Sequence, residues 1–246
     1  MDGACGVATE PERNGMSYIR TDNQAPPATA PRITDPRTGL DRRWLVVGAA
    51  VLIFVIGLAV NLSSVRSTTF HPDESRWINR AHYLTDLGSP LGDEWADRYL
   101  LRGQPPFGSY MTALGLILQG YDTETNQPFD FHFGNERQIN WEAGHNAIPS
   151  QADLLAARRM NAFIGALTAA LFVVILAQFT NLAGALIGGA FIVINNLHQY
   201  LSSTALSDAT LGLILVLATL LVMQLVKRPG WGKTLALGVL LGCGMA

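Results

Sequence analysis

Residues 44–62 read WLVVGAAVLIFVIGLAVNL, an uncharged apolar run of the length that crosses a hydrocarbon core of about 30 Å. Three later stretches repeat the pattern: 160–178, 182–197 and 209–226, each interrupted only by small residues, hydroxyls, Asn or Gln. Charged residues are 15% of the chain and are absent from all four runs, so they concentrate in the connections. A fifth run starts at Thr234 and reaches Ala246, too short to span. The expected fold class is therefore all-α: a polytopic membrane helix bundle, and the N-terminal part of a longer membrane protein. The membrane domain is 42–246, with spans at 44–62, 160–178, 182–197, 209–226 and an incomplete 234–246.

Orientation follows from the short connections. Arg42 and Arg43 precede the first span, and Lys227, Arg228 and Lys233 lie between the fourth and fifth. Alternating spans put these on one side, which the positive-inside rule makes cytoplasmic. Segment 63–158 is then a long external loop, rich in acids and free of Lys. Residues 1–41 are polar, rich in Pro, Thr and Arg, and without apolar period, as in a disordered cytoplasmic tail. The expected location is the cell membrane, with the N-terminus cytoplasmic. Cys5 and Cys243 are too far apart in this topology to form a staple. No nucleic-acid partner is expected.

Within the loop, Trp77, Ile78, Ala81, Leu84 and Leu87 recur at helical spacing after Pro72, which predicts an amphipathic helix parallel to the membrane. A second apolar segment follows Gln104-Pro105-Pro106-Phe107-Gly108 and runs to Leu118, short for a span and so placed at the interface. From Gly120 to Pro149 the chain is polar and aromatic with no regular period, which reads as a folded loop or lid.

Candidate chemistry gathers at the external side. Asp73 and Glu74 stand together just past the first span. Acids in the first turn of a helix are common for electrostatic reasons alone. At a membrane surface, however, a partly desolvated carboxylate can act as a base. Asp208 opens the fourth span; a cap is the first reading of it, and the alternative is that it joins Asp73 and Glu74 around an acceptor group or a divalent metal ion, the one cofactor considered. Arg158 and Arg159 open the second span, either snorkelling to headgroups or holding a lipid phosphate in their donor forks. Arg102 is a further candidate for that phosphate. His71, His82, His132 and His145 match no metal-ligand spacing.

These residues resemble the N-terminal part of a GT-C type glycosyltransferase, nearest to the protein O-mannosyltransferase and lipid A aminoarabinose transferase group. Asp73-Glu74 resembles that family's acidic motif in the first external loop. Pro105-Pro106-Phe107-Gly108 is similar to its Pro-Pro-Leu-Gly element, Arg158-Arg159 to the arginine entering the next span, and Ala205-Leu206-Ser207-Asp208 to its small-residue-plus-Asp entry. Gln104 and Ser109 depart from it, standing where many members have His and Lys. The resemblance implies sugar transfer from a polyprenyl-phosphate carrier to an acceptor of unspecified class on the external face, with inversion. Asp73 would be the base and Glu74 would orient the acceptor or poise Asp73. Arg158, Arg159 or a cation at Asp208 would neutralise the departing phosphate. It also implies that residues 1–246 alone are inactive. The rival readings are a transporter or lipid flippase, and a non-catalytic membrane scaffold. The first is disfavoured by charges that cluster at one surface rather than at the midplane.

Overall fold

A computed structural model describes residues 41–89, 92, 106–127 and 137–245. Residues 1–40 of the expected tail, together with Arg102, Gln104, Pro105 and His132, lie outside that set. Among the described residues every regular element is helical. The helices are α1 (Arg42–Ser64), α2 (Pro72–Asn79), α3 (Tyr83–Asp86), α4 (Phe107–Leu118), α5 (Gln138–Gly144), α6 (Gln151–Leu176), α7 (Leu182–Ile194), α8 (Asn196–Ser203), α9 (Asp208–Lys227) and α10 (Trp231–Met245).

Three of them are long and apolar enough to cross a membrane: α1 with 23 residues, α6 with 26 and α9 with 20. At 1.5 Å per residue the shortest is about 30 Å long. Their outer faces carry the wrong residues for water. On α1, Trp44, Val51, Leu52 and Val55 are all at least half exposed, and Leu215 and Val226 continue the pattern on α9. Such faces are stable only where the surroundings are themselves apolar.

The central helix is α6, packed against α1, α4, α7, α8 and α9. It can touch so many neighbours because its inward positions are small: Ala157, Ala162, Ala166 and Ala169 are buried, as is Gly165. Small side chains let helix backbones approach closely, the usual basis of packing where lipid supplies no hydrophobic drive. Polar bonds then fix the register. Arg42 donates to the carbonyls of Ala177 and Thr180, each at 2.9 Å, and Asn61 Nδ2 to that of Ala162 at 3.2 Å. Lys227 reaches Gln178 beside the first pair. Arg42 and Lys227 thus share one end of the bundle, while Ser64, Arg158 and Asp208 share the other.

The structure departs from the expectations at two places that shape the site. First, α6 begins at Gln151, capped by Ser150 accepting from the Asp153 N–H at 3.1 Å, so Arg158 and Arg159 lie two turns inside the helix rather than at its mouth. Second, the apolar run 182–197 is not one straight helix. It breaks at Asn195, which ends α7 and caps α8 by accepting the His198 N–H at 3.0 Å, and the two pieces bend by 60°. The expected amphipathic helix 73–87 forms as α2 and α3 joined by a 3-10 turn at Arg80–His82. Its apolar side is turned onto protein: Ile78 meets Ala157 and Ala205, and Ala81 meets Ala113, Leu116 and Ala156.

The tightest helix contact yields a stability prediction. A Cβ on Gly165 would stand 2.0 Å from Ser202 Oγ and 2.5 Å from its Cβ, whereas one on Gly48 of α1 meets nothing within 4 Å. Gly165→Ala is expected to lose about 1–3 kcal/mol of stability through overpacking. Gly48→Ala is expected to be neutral or slightly stabilising. Thermal unfolding of the two variants in one detergent separates them.

Candidate functional site

The end of the bundle that carries Asp73 is organised by the start of α2. Pro72 occupies the first helical turn, where a missing N–H is no loss. His71 closes a capping box. Its Nδ1 accepts the Asp73 N–H at 3.2 Å, and its own N–H donates to Glu74 Oε2 at 2.9 Å. Glu74 then does more than cap. Its side chain is fully buried and meets the guanidinium of Arg158, itself only 3% exposed, in a two-pronged pair: Nε to Oε1 at 2.8 Å and Nη2 to Oε2 at 2.6 Å. The backbone N–H of Ala205 adds a further bond to Oε1 at 2.6 Å.

Arg158 is equally complete. Nη1 donates to the carbonyls of Val65 and Thr68, both at 2.9 Å, and Nη2 to that of Thr69 at 3.3 Å. All five of its N–H groups are therefore engaged by the protein, and Glu74 accepts four bonds. The network joins the end of α1, the start of α2, α6 and the turn before α9. It leaves Arg158 no donor for a lipid phosphate and Glu74 no oxygen for an acceptor group.

Asp73, one residue earlier, is placed differently. Its side chain is 44% exposed and lies 3.7 Å from His71 Nδ1. Asp73 is the open member of the tandem acids.

Asp208 is exposed and is the first residue of α9. Two contacts bring its segment to α2. Asn161 Nδ2 donates to the carbonyls of Thr204 and Leu206, at 2.6 and 2.7 Å, which fixes the turn that offers Ala205 to Glu74. Gly108 packs directly on Ser207. A Cβ there would lie 2.8 Å from Ser207 Cβ and 3.3 Å from the Trp77 ring. The glycine of the Pro-Pro-Phe-Gly element is thus what allows α4, α2 and the head of α9 to meet. Arg159 turns away from this junction. Its Nη1 donates to Gln119 Oε1 at 2.9 Å at the far end of α4. Among the described residues no three His, Cys, Asp or Glu side chains stand close enough to hold a metal ion.

Two features were not visible in the sequence. Glu142, in the aperiodic part of the loop, is fully buried, and its Oε2 accepts from Ser75 Oγ at 2.9 Å. No spacing announces it, because α5 is only seven residues long. The other is a polar cavity of about 300 Å³ between the end of α1 and α8, lined by Ser64, Ser67, Thr68 and Thr69 on one side and by Gln199 and Tyr200 on the other.

Removing one partner of the sealed pair should be costly. Arg158→Ala or Glu74→Ala leaves a buried charge uncompensated and is expected to lose about 3–5 kcal/mol. Arg158→Lys cannot reproduce the fork and should recover little of it. A double replacement by Met at both positions should be markedly more stable than either single alanine. Equal stability of the single alanines and the wild type in detergent melts would refute this role for the pair.

Comparison with curated proteins and with solved structures gives no match. A model of the family described as dolichyl-phosphate-mannose-protein mannosyltransferase matches residues 95–246, more than half of the chain. The matched segment includes Arg158, Arg159 and Asp208 and begins after Asp73 and Glu74. By that match the chain belongs to the dolichyl-phosphate-mannose-protein mannosyltransferase family.

Proposed function

We propose that this membrane glycosyltransferase carries out mannosyl transfer from a polyprenyl-phosphate carrier to a hydroxyl group on the non-cytoplasmic face, with Asp73 as general base. The observation that carries the reading is the contrast within the tandem acids. Glu74 is locked by four hydrogen bonds, two of them from Arg158, whereas Asp73 on the same rigid turn presents an open carboxylate.

The chemistry needs only that. As the acceptor oxygen attacks the anomeric carbon, its proton passes to Asp73 and the carbon–oxygen bond to the carrier phosphate breaks. The phosphate leaves with the bonding pair, and a single displacement inverts the anomeric centre. Glu74 contributes by holding the turn, and Arg158 by holding Glu74. The departing phosphate calls for positive charge. Arg159 is bonded to Gln119 away from the junction, so in this reading the charge falls to Arg102. Asp208 would give a divalent cation one carboxylate, with donor phosphate and water completing the shell.

Sidedness is supported by the distribution of charge. Arg42 and Lys227 sit together at the end of the bundle opposite Asp73, as expected if that end faces the cytoplasm.

Asp73→Asn in the full-length protein, assayed in membranes with radiolabelled polyprenyl-phosphate mannose and a Ser/Thr-rich peptide, should lower transfer by about 10²–10⁴-fold while donor binding persists. Wild-type turnover from the variant would remove Asp73 from the mechanism.

A further inference from the structure

We infer that Glu142 is a positioning residue for Asp73, a buried carboxyl that latches α5 onto the first turn of α2 and so sets the place and surroundings of the base. The inference rests on the proposed role of Asp73 as base. It begins from a comparison of two carboxyls. Glu74 and Glu142 are equally buried, yet Glu74 has a guanidinium and two backbone N–H groups. Glu142 Oε2 has the Ser75 hydroxyl, and Oε1 is buried with no hydrogen-bond partner among the described residues. A carboxylate so placed is poorly solvated, whereas a carboxylic acid is not.

The latch has a second point of attachment. Asn126 Nδ2 donates to the carbonyl of Ser75 at 3.1 Å and also to that of Ala147, just beyond α5. Ser75 is thus held at both ends: its hydroxyl by Glu142, its carbonyl by Asn126. Asn79 Nδ2 donates to the Asn126 carbonyl at 2.6 Å, and Thr125 Oγ1 to that of Ile78 at 3.2 Å. The turn bearing Asp73 is therefore gripped from two directions, by Arg158 from the bundle and by Glu142 from the loop.

The groups around Glu142 determine how the latch responds to pH. Burial raises the proton affinity of its carboxyl, and the charge of Asp73 raises it further; the hydrogen bond from Ser75, the nearby Gln138 side chain and the charge of His71 oppose this. The docked carboxyl thus holds its proton to higher pH than a released one. Docking is fully favoured below the ordinary carboxyl range and is lost as pH rises through the raised value. Each pH unit between the two values changes the docking constant by about tenfold. When Glu142 ionises, its side chain must leave the pocket or place a second negative charge beside Asp73.

The test uses the full-length protein and reads hydrogen exchange and turnover in parallel, from about pH 4 to 9 so as to bracket the ordinary carboxyl range. In the wild type, protection of residues 138–147, corrected for intrinsic exchange, should fall with rising pH. Transfer dependent on Asp73 should decline over the same interval. In Glu142→Gln the side chain cannot ionise. Protection should then be independent of pH, and the alkaline decline in transfer should move or vanish. Ser75→Ala should lower protection of the same segment at every pH. Identical, pH-independent protection in wild type and Glu142→Gln overturns the latch whatever the activity. Matching pH profiles of transfer in those two proteins overturn the positioning role. Full activity of Asp73→Asn would instead strike the assignment of the base, while the exchange data would still decide whether α5 is latched.

Discussion

The pair between Glu74 and Arg158 is the constraint on which the rest of this structure depends. Burying two charges is expensive, and attraction between them offsets the expense only if the remaining hydrogen-bonding capacity is also met. Here it is met completely. The five guanidinium N–H groups find Glu74 and the carbonyls of Val65, Thr68 and Thr69, and the carboxylate also takes the N–H groups of His71 and Ala205. None of those carbonyls could be satisfied by lipid, since each belongs to backbone leaving or approaching a helix. One side chain of α6 thereby ends α1, starts α2 and anchors the turn into α9. An apolar pair could fill the same volume, but it would leave these backbone groups without partners.

This arrangement explains why two adjacent acids meet different fates. Asp73 and Glu74 occupy successive positions in the first turn of α2, about 100° apart around the helix axis. Only the third helical position can reach back to the N–H of the capping residue, and that position is Glu74. The longer side chain then continues inward to Arg158, while the Asp73 carboxylate stays partly exposed. The same geometry separates Arg158 from Arg159 on α6. One points at α2, and the next points at Gln119 at the end of α4. Neighbours in sequence are thus divided into a structural member and an open member on both elements.

Much of the scaffold was legible in the residues. The uncharged runs located α1, α6 and α9, and the helical spacing of Trp77, Ile78 and Ala81 identified the buried side of α2 and the 3-10 turn that follows it. The partnership of Glu74 with Arg158 was not legible, because it spans 84 positions and nothing local distinguishes either residue from its neighbour. The break at Asn195 was hidden within an apolar run whose composition suits a continuous helix. It depends on a capping bond that Asn makes only once the chain has already turned. Glu142 was hidden for another reason. A helix of seven residues has no measurable period, and its carboxyl is identified only by the Ser75 hydroxyl that it faces.

The division of labour between the two acids also bears on how a base can work at this position. A group that takes a proton in each turnover changes its charge each time, and any structure built on that charge would be strained at the same moment. Among the described residues, Asp73 supports none of the long-range bonds that hold the turn. Its backbone N–H serves the cap, but the capping box and the junction with α6 run through His71, Glu74 and Arg158. In the proposed reaction, protonation of Asp73 therefore leaves the network intact, and the carboxyl returns to the same place for the next acceptor. A base at Glu74 would release Arg158 on gaining a proton and loosen four segments together. The proposed reaction thus places the proton transfer on the shorter and more exposed acid, held in place by the longer and sealed one.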